Sequence, residues 1–148
     1  MSNQLKWDLR FLEMAKLVST WSKDPSTQTG AVIVRGKNNI VSVGYNGFPG
    51  GMDDSPELYA NREEKYRRII HCEMNAERYA ESDIQGCTLY TYPFMSCDRC
   101  FVHMKNYGIV RFVAPLPTAD QLTRWGAAFE WVRIEAKKCG VEIVELDL

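Results

Sequence analysis

Four residues near the middle of the chain have the types and spacing of a hydrolytic metal site: His71, Glu73, Cys97 and Cys100. Zinc is a borderline-soft ion, and one histidine with two cysteines would leave its fourth tetrahedral position open for water, as in catalytic sites. Glu73 lies two residues from the histidine, too close to be a comfortable ligand but well placed to exchange protons with that water. The pattern predicts hydrolysis, with Glu73 as the catalytic carboxylate.

The cysteines have alternative roles that stay open. A C-x-x-C pair can also be a redox pair or half of a structural metal site, which requires four protein ligands. His103, three residues after the second cysteine, is the strongest candidate for a fourth ligand. We interpret Cys87 and Cys139 as small core residues and leave Cys72 unassigned. The open site is favoured because it also accounts for Glu73.

Composition limits the class of protein. The 148 residues, 45% of them hydrophobic, suffice for one domain over 1–148 with a buried core. The formal net charge of -1 argues against a broad nucleic-acid-binding face. Five cysteines, an odd number, fit a reducing compartment better than a disulfide framework. The sequence shows no signal segment or membrane-spanning stretch, so we expect a cytoplasmic protein without membrane partners.

The elements that must position the site alternate between helix and strand. Apolar residues recur at three- and four-residue steps from Leu5 to Ser22, which predicts a first helix. Two β-branched segments, 30–35 and 40–45, flank a short loop and predict an antiparallel hairpin. The long segment from Asn46 to Arg68 is rich in glycine, proline and charge, and Pro56 suits the first position of a short helix.

The second half of the chain continues this alternation. Helices are predicted over Ile70–Tyr79, Asp98–Asn106 and a long segment that stops at Gly140; strands are predicted over 87–92, 110–114 and 141–144. The order αββαβαβαβ predicts an α/β protein with a mixed sheet covered by helices. Both halves of the zinc motif fall at helix beginnings, where the helix dipole favours thiolates.

Histidine-x-glutamate followed by C-x-x-C resembles the zinc-dependent cytidine and deoxycytidylate deaminases. Three blocks, Asp24–Ala31, Gly44–Pro49 and His71–Ala76, are similar to the deoxycytidylate (dCMP) deaminases in particular. The resemblance implies a three-layer fold, a five-stranded mixed sheet sandwiched by helices. It also implies one catalytic Zn²⁺ per subunit, and hydrolysis of dCMP to dUMP and ammonia, which feeds dTTP synthesis.

The resemblance implies nucleotide-binding residues as well. Ser26, Thr27 and Asn46 would contact the substrate, although Asn46 also suits an Asn-Gly turn. Members of the family are often homohexamers, activated by dCTP and inhibited by dTTP bound with Mg²⁺. The segment implied for these effectors is Gly44, Tyr45, Asn46 and Gly47. Its glycines would let backbone approach a triphosphate closely, but they also suit a turn at the end of a strand.

Several charged residues and one tryptophan near the motif could either contact the nucleotide or serve only the fold. Four basic residues before the catalytic helix are candidates for the 5′-phosphate, although the interleaved glutamates favour a solvated helix face. They are Arg62, Lys65, Arg67 and Arg68. Trp125 could stack on a base, but its place in the apolar stripe of the last helix favours core packing.

The chain departs from the family inside the motif itself. Cys72 stands where the family usually has alanine, and Ser96 stands where it usually has proline. The loop that leads to Cys97 is one residue longer than usual, which we expect to reshape the pocket wall near Phe94 and Met95. With only two histidines in the chain, the second, structural zinc of some members is not expected.

Two further functions stay open. The same site could deaminate another cytosine compound, such as dCTP, cytidine or a base in RNA, although the near-neutral charge disfavours RNA. A zinc-binding module without catalysis is the alternative from another class, and the intact Glu73 argues against it.

Overall fold

The computed structural model describes all 148 residues as six helices and one five-stranded sheet. The helices are α1 (Asn3–Ser19), α2 (Pro56–Ala60), α3 (Arg62–Arg68), α4 (Cys72–Arg78), α5 (Asp98–Asn106) and α6 (Ala119–Cys139). The strands are β1 (Gly30–Arg35), β2 (Asn39–Tyr45), β3 (Thr88–Tyr92), β4 (Arg111–Pro115) and β5 (Glu142–Leu146). No helix combines the length and apolar character needed to cross a bilayer.

The sheet is mixed, in the order β2-β1-β3-β4-β5. β1 pairs antiparallel with both β2 and β3, whereas the β3–β4 and β4–β5 pairs are parallel. The antiparallel hairpin and the mixed α/β sheet expected from the sequence are therefore confirmed.

Both faces of the sheet are buried, so the fold has three layers. Successive side chains of a strand point to opposite faces, and in β1 Ala31 and Ile33 enter one core while Val32 and Val34 enter the other. The larger core lies under α4, α5 and α6, and the smaller one lies under α1. The expected sandwich of helices around a five-stranded sheet is confirmed.

Several predicted elements differ in detail from the structure. α1 ends at Ser19 rather than Ser22, and the long connection after β2 contains two short helices, α2 and α3. Gly140 ends α6 with a left-handed backbone (φ 74°), as expected for a helix stop. Cys87 is fully buried, but the interpretation of Cys139 as a core residue is wrong, because it lies exposed in the last turn of α6.

A close contact between β2 and α4 fixes the height of the catalytic helix above the sheet. A Cβ atom at Gly44 would lie 2.3 Å from the backbone nitrogen of Ala76 and 2.6 Å from the carbonyl oxygen of Cys72. Any side chain at this position would push α4 away from the strand. Packing alone therefore explains the glycine.

A buried polar network ties α1 to β3 and β4. The Asp8 carboxylate accepts hydrogen bonds from the Tyr90 hydroxyl (2.6 Å) and from two Arg111 nitrogens (2.8 and 2.6 Å). Asp8 is 2% exposed, and Arg111 also contacts the exposed Glu142 on the neighbouring strand at 3.2 Å. Burial raises the pKa of Asp8, but the bonds from Arg111 and Tyr90 outweigh it, so the pKa lies below its ordinary value.

We expect Asp8→Ala to lower the free energy of unfolding by about 3 kcal/mol at neutral pH, because it leaves the half-buried Arg111 with only the exposed Glu142 as a partner. Asp8 has a lowered pKa in the folded state, so its contribution is complete above the ordinary value of 3.8 and is lost as the pH falls through the folded-state value. Urea unfolding at several pH values measures both effects. The control Glu142→Gln removes only the exposed partner of Arg111 and should cost less than about 1 kcal/mol.

Candidate active site

The first turns of α4 and α5 bring together the three predicted zinc ligands. His71 is the residue immediately before α4, Cys97 holds the same position before α5, and Cys100 lies in the first turn of α5. The Nδ1 atom of His71 lies 3.1 Å from Cys100 Sγ and 3.7 Å from Cys97 Sγ. The three donor atoms all lie within 4.8 Å of one another.

These distances suit a tetrahedral zinc ion. With Zn–N bonds of about 2.0 Å and Zn–S bonds of about 2.3 Å, tetrahedral angles separate nitrogen and sulfur donors by about 3.5 Å. The two N···S distances, 3.1 and 3.7 Å, lie on either side of that value. His103 does not belong to the cluster, so the structure does not bring a fourth histidine or cysteine to these three donors. One tetrahedral position is thus left without a protein ligand.

Hydrogen bonds among the three predicted ligands shift their pKa values, and metal binding therefore depends on pH. The hydrogen bond with Cys100 holds the pKa of Cys97 far below its ordinary value, and the same contact raises the pKa of Cys100. The hydrogen bond to Cys97 raises the pKa of His71 to about 8. At neutral pH the metal-free site therefore contains a Cys97 thiolate beside a protonated His71 and Cys100. A metal ion must displace those protons, so its affinity falls as the pH is lowered.

The catalytic candidate Glu73 faces the same pocket. Residues two apart on a regular helix point about 200° from each other. His71 lies just before α4 and has extended backbone angles (φ -70°, ψ 156°), so this helical spacing does not apply to it. Both side chains consequently line one cavity. Glu73 is 5% exposed, and its single hydrogen-bonding partner in the protein is Cys72, whose Sγ lies 3.1 Å from Glu73 Oε1.

One wall of the pocket is apolar and aromatic. It is formed by the loop before Cys97 and by α6, through Tyr92, Phe94, Met95, Trp125, Ala128 and Phe129. The rings of Phe94 and Trp125 lie 4.9 Å apart at 40°. Trp125 therefore packs against the main core and lines the pocket as well, so the two interpretations of this residue are compatible. The hydroxyl of Ser96, the other departure in this loop, is buried without a hydrogen-bonding partner.

The opposite wall is polar and is organised by Asn46. Its amide Nδ2 donates to the carbonyl oxygen of Thr27 at 2.9 Å, and its Oδ1 accepts from the backbone N–H of Thr29 at 2.9 Å. Asn46 and Thr27 both line the pocket, whereas Ser26 does not. Ser26 instead donates its backbone N–H to Asp24 at 2.8 Å and stabilises the loop from behind.

Asp24 and Lys65 form a buried pair in the pocket that sequence spacing did not predict. Lys65 Nζ lies 3.3 Å from Asp24 Oδ1, and the side chains are 10% and 4% exposed. Lys65 is the one lysine or arginine that lines the pocket. Arg67 and Arg68 instead pair with Glu63 and Glu64 on the surface of α3.

The sequence did contain a signal for Lys65. In α3, glutamate and arginine pair at four-residue spacing, Glu63 with Arg67 and Glu64 with Arg68. The residues four positions before and after Lys65 are Asn61 and Ile69, neither of which is charged. Lys65 therefore has no carboxylate three or four positions away on its own helix, which leaves it free to turn inward.

Comparison with known proteins agrees with this geometry. Residues 5–115 match the cytidine and deoxycytidylate deaminase zinc-binding region. A protein described as an uncharacterized deaminase in the luxG 3′ region of Aliivibrio fischeri is 43% identical over 97% of this chain and 95% of its own length. Human deoxycytidylate deaminase is 38% identical over 97% of this chain and 87% of its own length.

A solved structure shares the fold. The dCMP deaminase of the cyanophage S-TIM5, determined in complex with dCMP and dUMP, superimposes with a TM-score of 0.70 over 99% of each chain, at 18% identity. The fold and the relatives together define a hydrolase that acts on carbon–nitrogen bonds. The chain belongs to the cytidine and deoxycytidylate deaminase family.

We expect the protein to bind one zinc ion per chain and to lose it when His71, Cys97 or Cys100 is replaced by alanine, because two remaining ligands cannot hold the ion. Elemental analysis after dialysis measures the stoichiometry. His103→Ala is the matched control, since it removes the other histidine and should retain the metal. If His103→Ala also abolished zinc binding, the site would be a closed structural one.

Proposed function

We propose that the protein hydrolyses dCMP to dUMP and ammonia. The observation that carries this proposal is the buried carboxylate of Glu73 beside a three-ligand cluster, His71, Cys97 and Cys100, in one pocket. The cluster leaves a position for water, and the carboxylate can move the protons that the reaction requires. The curated relatives named deoxycytidylate deaminase support the choice of substrate.

The protein side of the mechanism centres on Glu73. A zinc ion on His71, Cys97 and Cys100 would supply Lewis-acid activation of the attacking water. Glu73 accepts a proton from that water as its oxygen attacks C4 of cytosine, and delivers the proton to N3. It then takes a second proton, from the new hydroxyl on C4, and passes it to the amino group, which departs as ammonia and leaves the uracil ring as product. The buried position of Glu73 favours these transfers, because few bulk water molecules compete for the carboxylate.

The two walls of the pocket suit a pyrimidine nucleotide. The aromatic wall around Phe94 and Trp125 offers an apolar surface on which a planar base can pack. The opposite wall offers Thr27 and Asn46 to the sugar, with Ser26 acting through the loop that carries Thr27. Because the Asn46 amide is already bonded to the backbone at Thr27 and Thr29, its orientation is set before the substrate arrives.

Lys65 is the residue to which we assign the 5′-phosphate. Its ammonium group has three donors, yet the structure gives it one partner, Asp24, at the long distance of 3.3 Å. Asp24 Oδ1 is also shared with the backbone N–H of Ser26. The ammonium therefore has spare donor capacity in a pocket with no other lysine or arginine.

The finer parts of the proposal concern regulation and assembly. By resemblance to the family, dCTP with Mg²⁺ would activate a cytoplasmic homohexamer that supplies dUMP for dTTP synthesis, and dTTP would inhibit it. The proposed effector segment, Gly44 to Gly47, borders the pocket through Asn46, and Tyr45 is 42% exposed. Packing against α4 already requires Gly44, so an effector would have to approach the segment from the Tyr45 side.

Zinc-loaded protein is expected to release ammonia faster from dCMP than from deoxycytidine, cytidine or dCTP. Glu73→Gln should retain zinc and lose activity by about 10³-fold or more, because the amide cannot accept the proton of water. An enzyme-coupled ammonia assay measures each rate, and additions of dCTP and dTTP to the dCMP assay test regulation. Substantial turnover by Glu73→Gln would refute its role, and a preference for another substrate would reassign the enzyme.

We expect Lys65→Gln to lower kcat/KM for dCMP by about 10- to 100-fold, the value of one charge-assisted hydrogen bond to an anion. Deoxycytidine lacks the phosphate, so its slow turnover should change by less than about 2-fold. Steady-state kinetics on both substrates measure the difference. Arg62→Gln is the matched control, since Arg62 lies exposed on the same helix outside the pocket. An equal loss on both substrates would assign Lys65 to structure instead.

A further inference from the structure

Cys72 lies between His71 and Glu73 and contacts the Glu73 carboxylate directly. Its Sγ is 3.1 Å from Glu73 Oε1, and the two residues are 2% and 5% exposed. A thiol is a weak donor between neutral groups, but a bond to an ionised acceptor is roughly twice as strong. Cys72 is thus a hydrogen-bond donor to the group that the proposed mechanism uses for proton transfer.

No other protein group donates a hydrogen bond to this carboxylate. Buried carboxylates are normally satisfied by several donors, so a single thiol is a sparse set of partners. The second oxygen, Oε2, has no hydrogen bond to the protein. It is not fully enclosed, however, because the one fully buried side-chain polar atom without a partner is the Ser96 hydroxyl. The contact with Cys72 therefore holds one oxygen and leaves the other for a partner in the pocket.

The contact is not the ordinary consequence of neighbouring positions on a helix. Residues one apart point about 100° from each other, so Glu73 must fold back towards Cys72 in the first turn of α4. Packing alone does not require sulfur here. Cys72 belongs to the main core with Ala76 and Met95, where an apolar side chain would fill the same place. The property that the thiol adds is a donor.

We propose that Cys72 is a positioning residue for the Glu73 carboxylate. Its S–H group holds Oε1, so that Oε2 faces the reacting atoms during both proton transfers. The effect on turnover rests on the proposed dCMP deamination, whereas the hydrogen bond itself can be measured without any substrate.

Kinetics test the consequence for the reaction. Cys72→Ala should lower kcat for dCMP about 10-fold and change KM by less than about 2-fold, because a misplaced proton-transfer group slows chemistry rather than binding. Cys72→Ser should recover most of the loss, since a hydroxyl can donate to the same oxygen. Cys87→Ala removes a thiol that is equally buried in the same core but does not contact Glu73, and it should leave kcat unchanged.

Infrared spectroscopy tests the bond itself in the zinc-loaded protein, where Cys97 and Cys100 carry no S–H group. The band lost in Cys72→Ala is the Cys72 stretch, and Glu73→Gln should shift it to higher frequency as the acceptor becomes neutral. An unshifted band overturns the proposal, as does a kcat loss in Cys72→Ala no larger than that in Cys87→Ala. If the wild-type protein does not deaminate dCMP, the proposed function fails, while a shifted band still establishes the contact.

Discussion

The site depends on one constraint: the N-terminal ends of α4 and α5 lie next to each other. His71 and Cys97 each precede a helix with extended backbone, and Cys100 lies within the first turn of the second helix. His71 and Glu73, two residues apart, can face one pocket because His71 lies outside the regular helix. The contact of Gly44 with the backbone of α4 fixes the height of the first helix, so the position of the histidine relative to the two sulfurs follows from packing on the sheet.

Two kinds of interaction hold the walls of the pocket in place, apolar packing and hydrogen bonding. The aromatic wall is an extension of the larger core, because Phe94 packs on Trp125 and Phe129. The polar wall is held by hydrogen bonds around Asp24 and Asn46 that join the loop before β1 to the end of β2. Rigid packing thus borders the place assigned to the base, and a network of directional bonds borders the place assigned to the sugar and phosphate.

Local patterns were enough to predict the order of the elements and a mixed α/β sheet, whereas the five-stranded sandwich and the joining of two motifs 26 positions apart came from the family resemblance. The apolar patterns located every strand and long helix within a few residues, and the two motifs contain the three side chains that the structure brings together. The pair of Asp24 and Lys65 could not be derived in this way, since 41 positions separate its members and nothing local joins them. Cys139 was misjudged for the related reason that an apolar stripe does not show where its helix leaves the core. The contact of Cys72 with Glu73 depends on a rotamer, which sequence spacing does not specify.

The two cores bury their apolar side chains without any of the three proposed zinc ligands, since His71, Cys97 and Cys100 belong to neither core. We therefore expect the chain to fold before it binds zinc, unlike small zinc domains whose folding free energy is the binding free energy. The zinc supply of the cell would accordingly set the active fraction of the protein, and bound zinc would add to a stability that the two cores already provide.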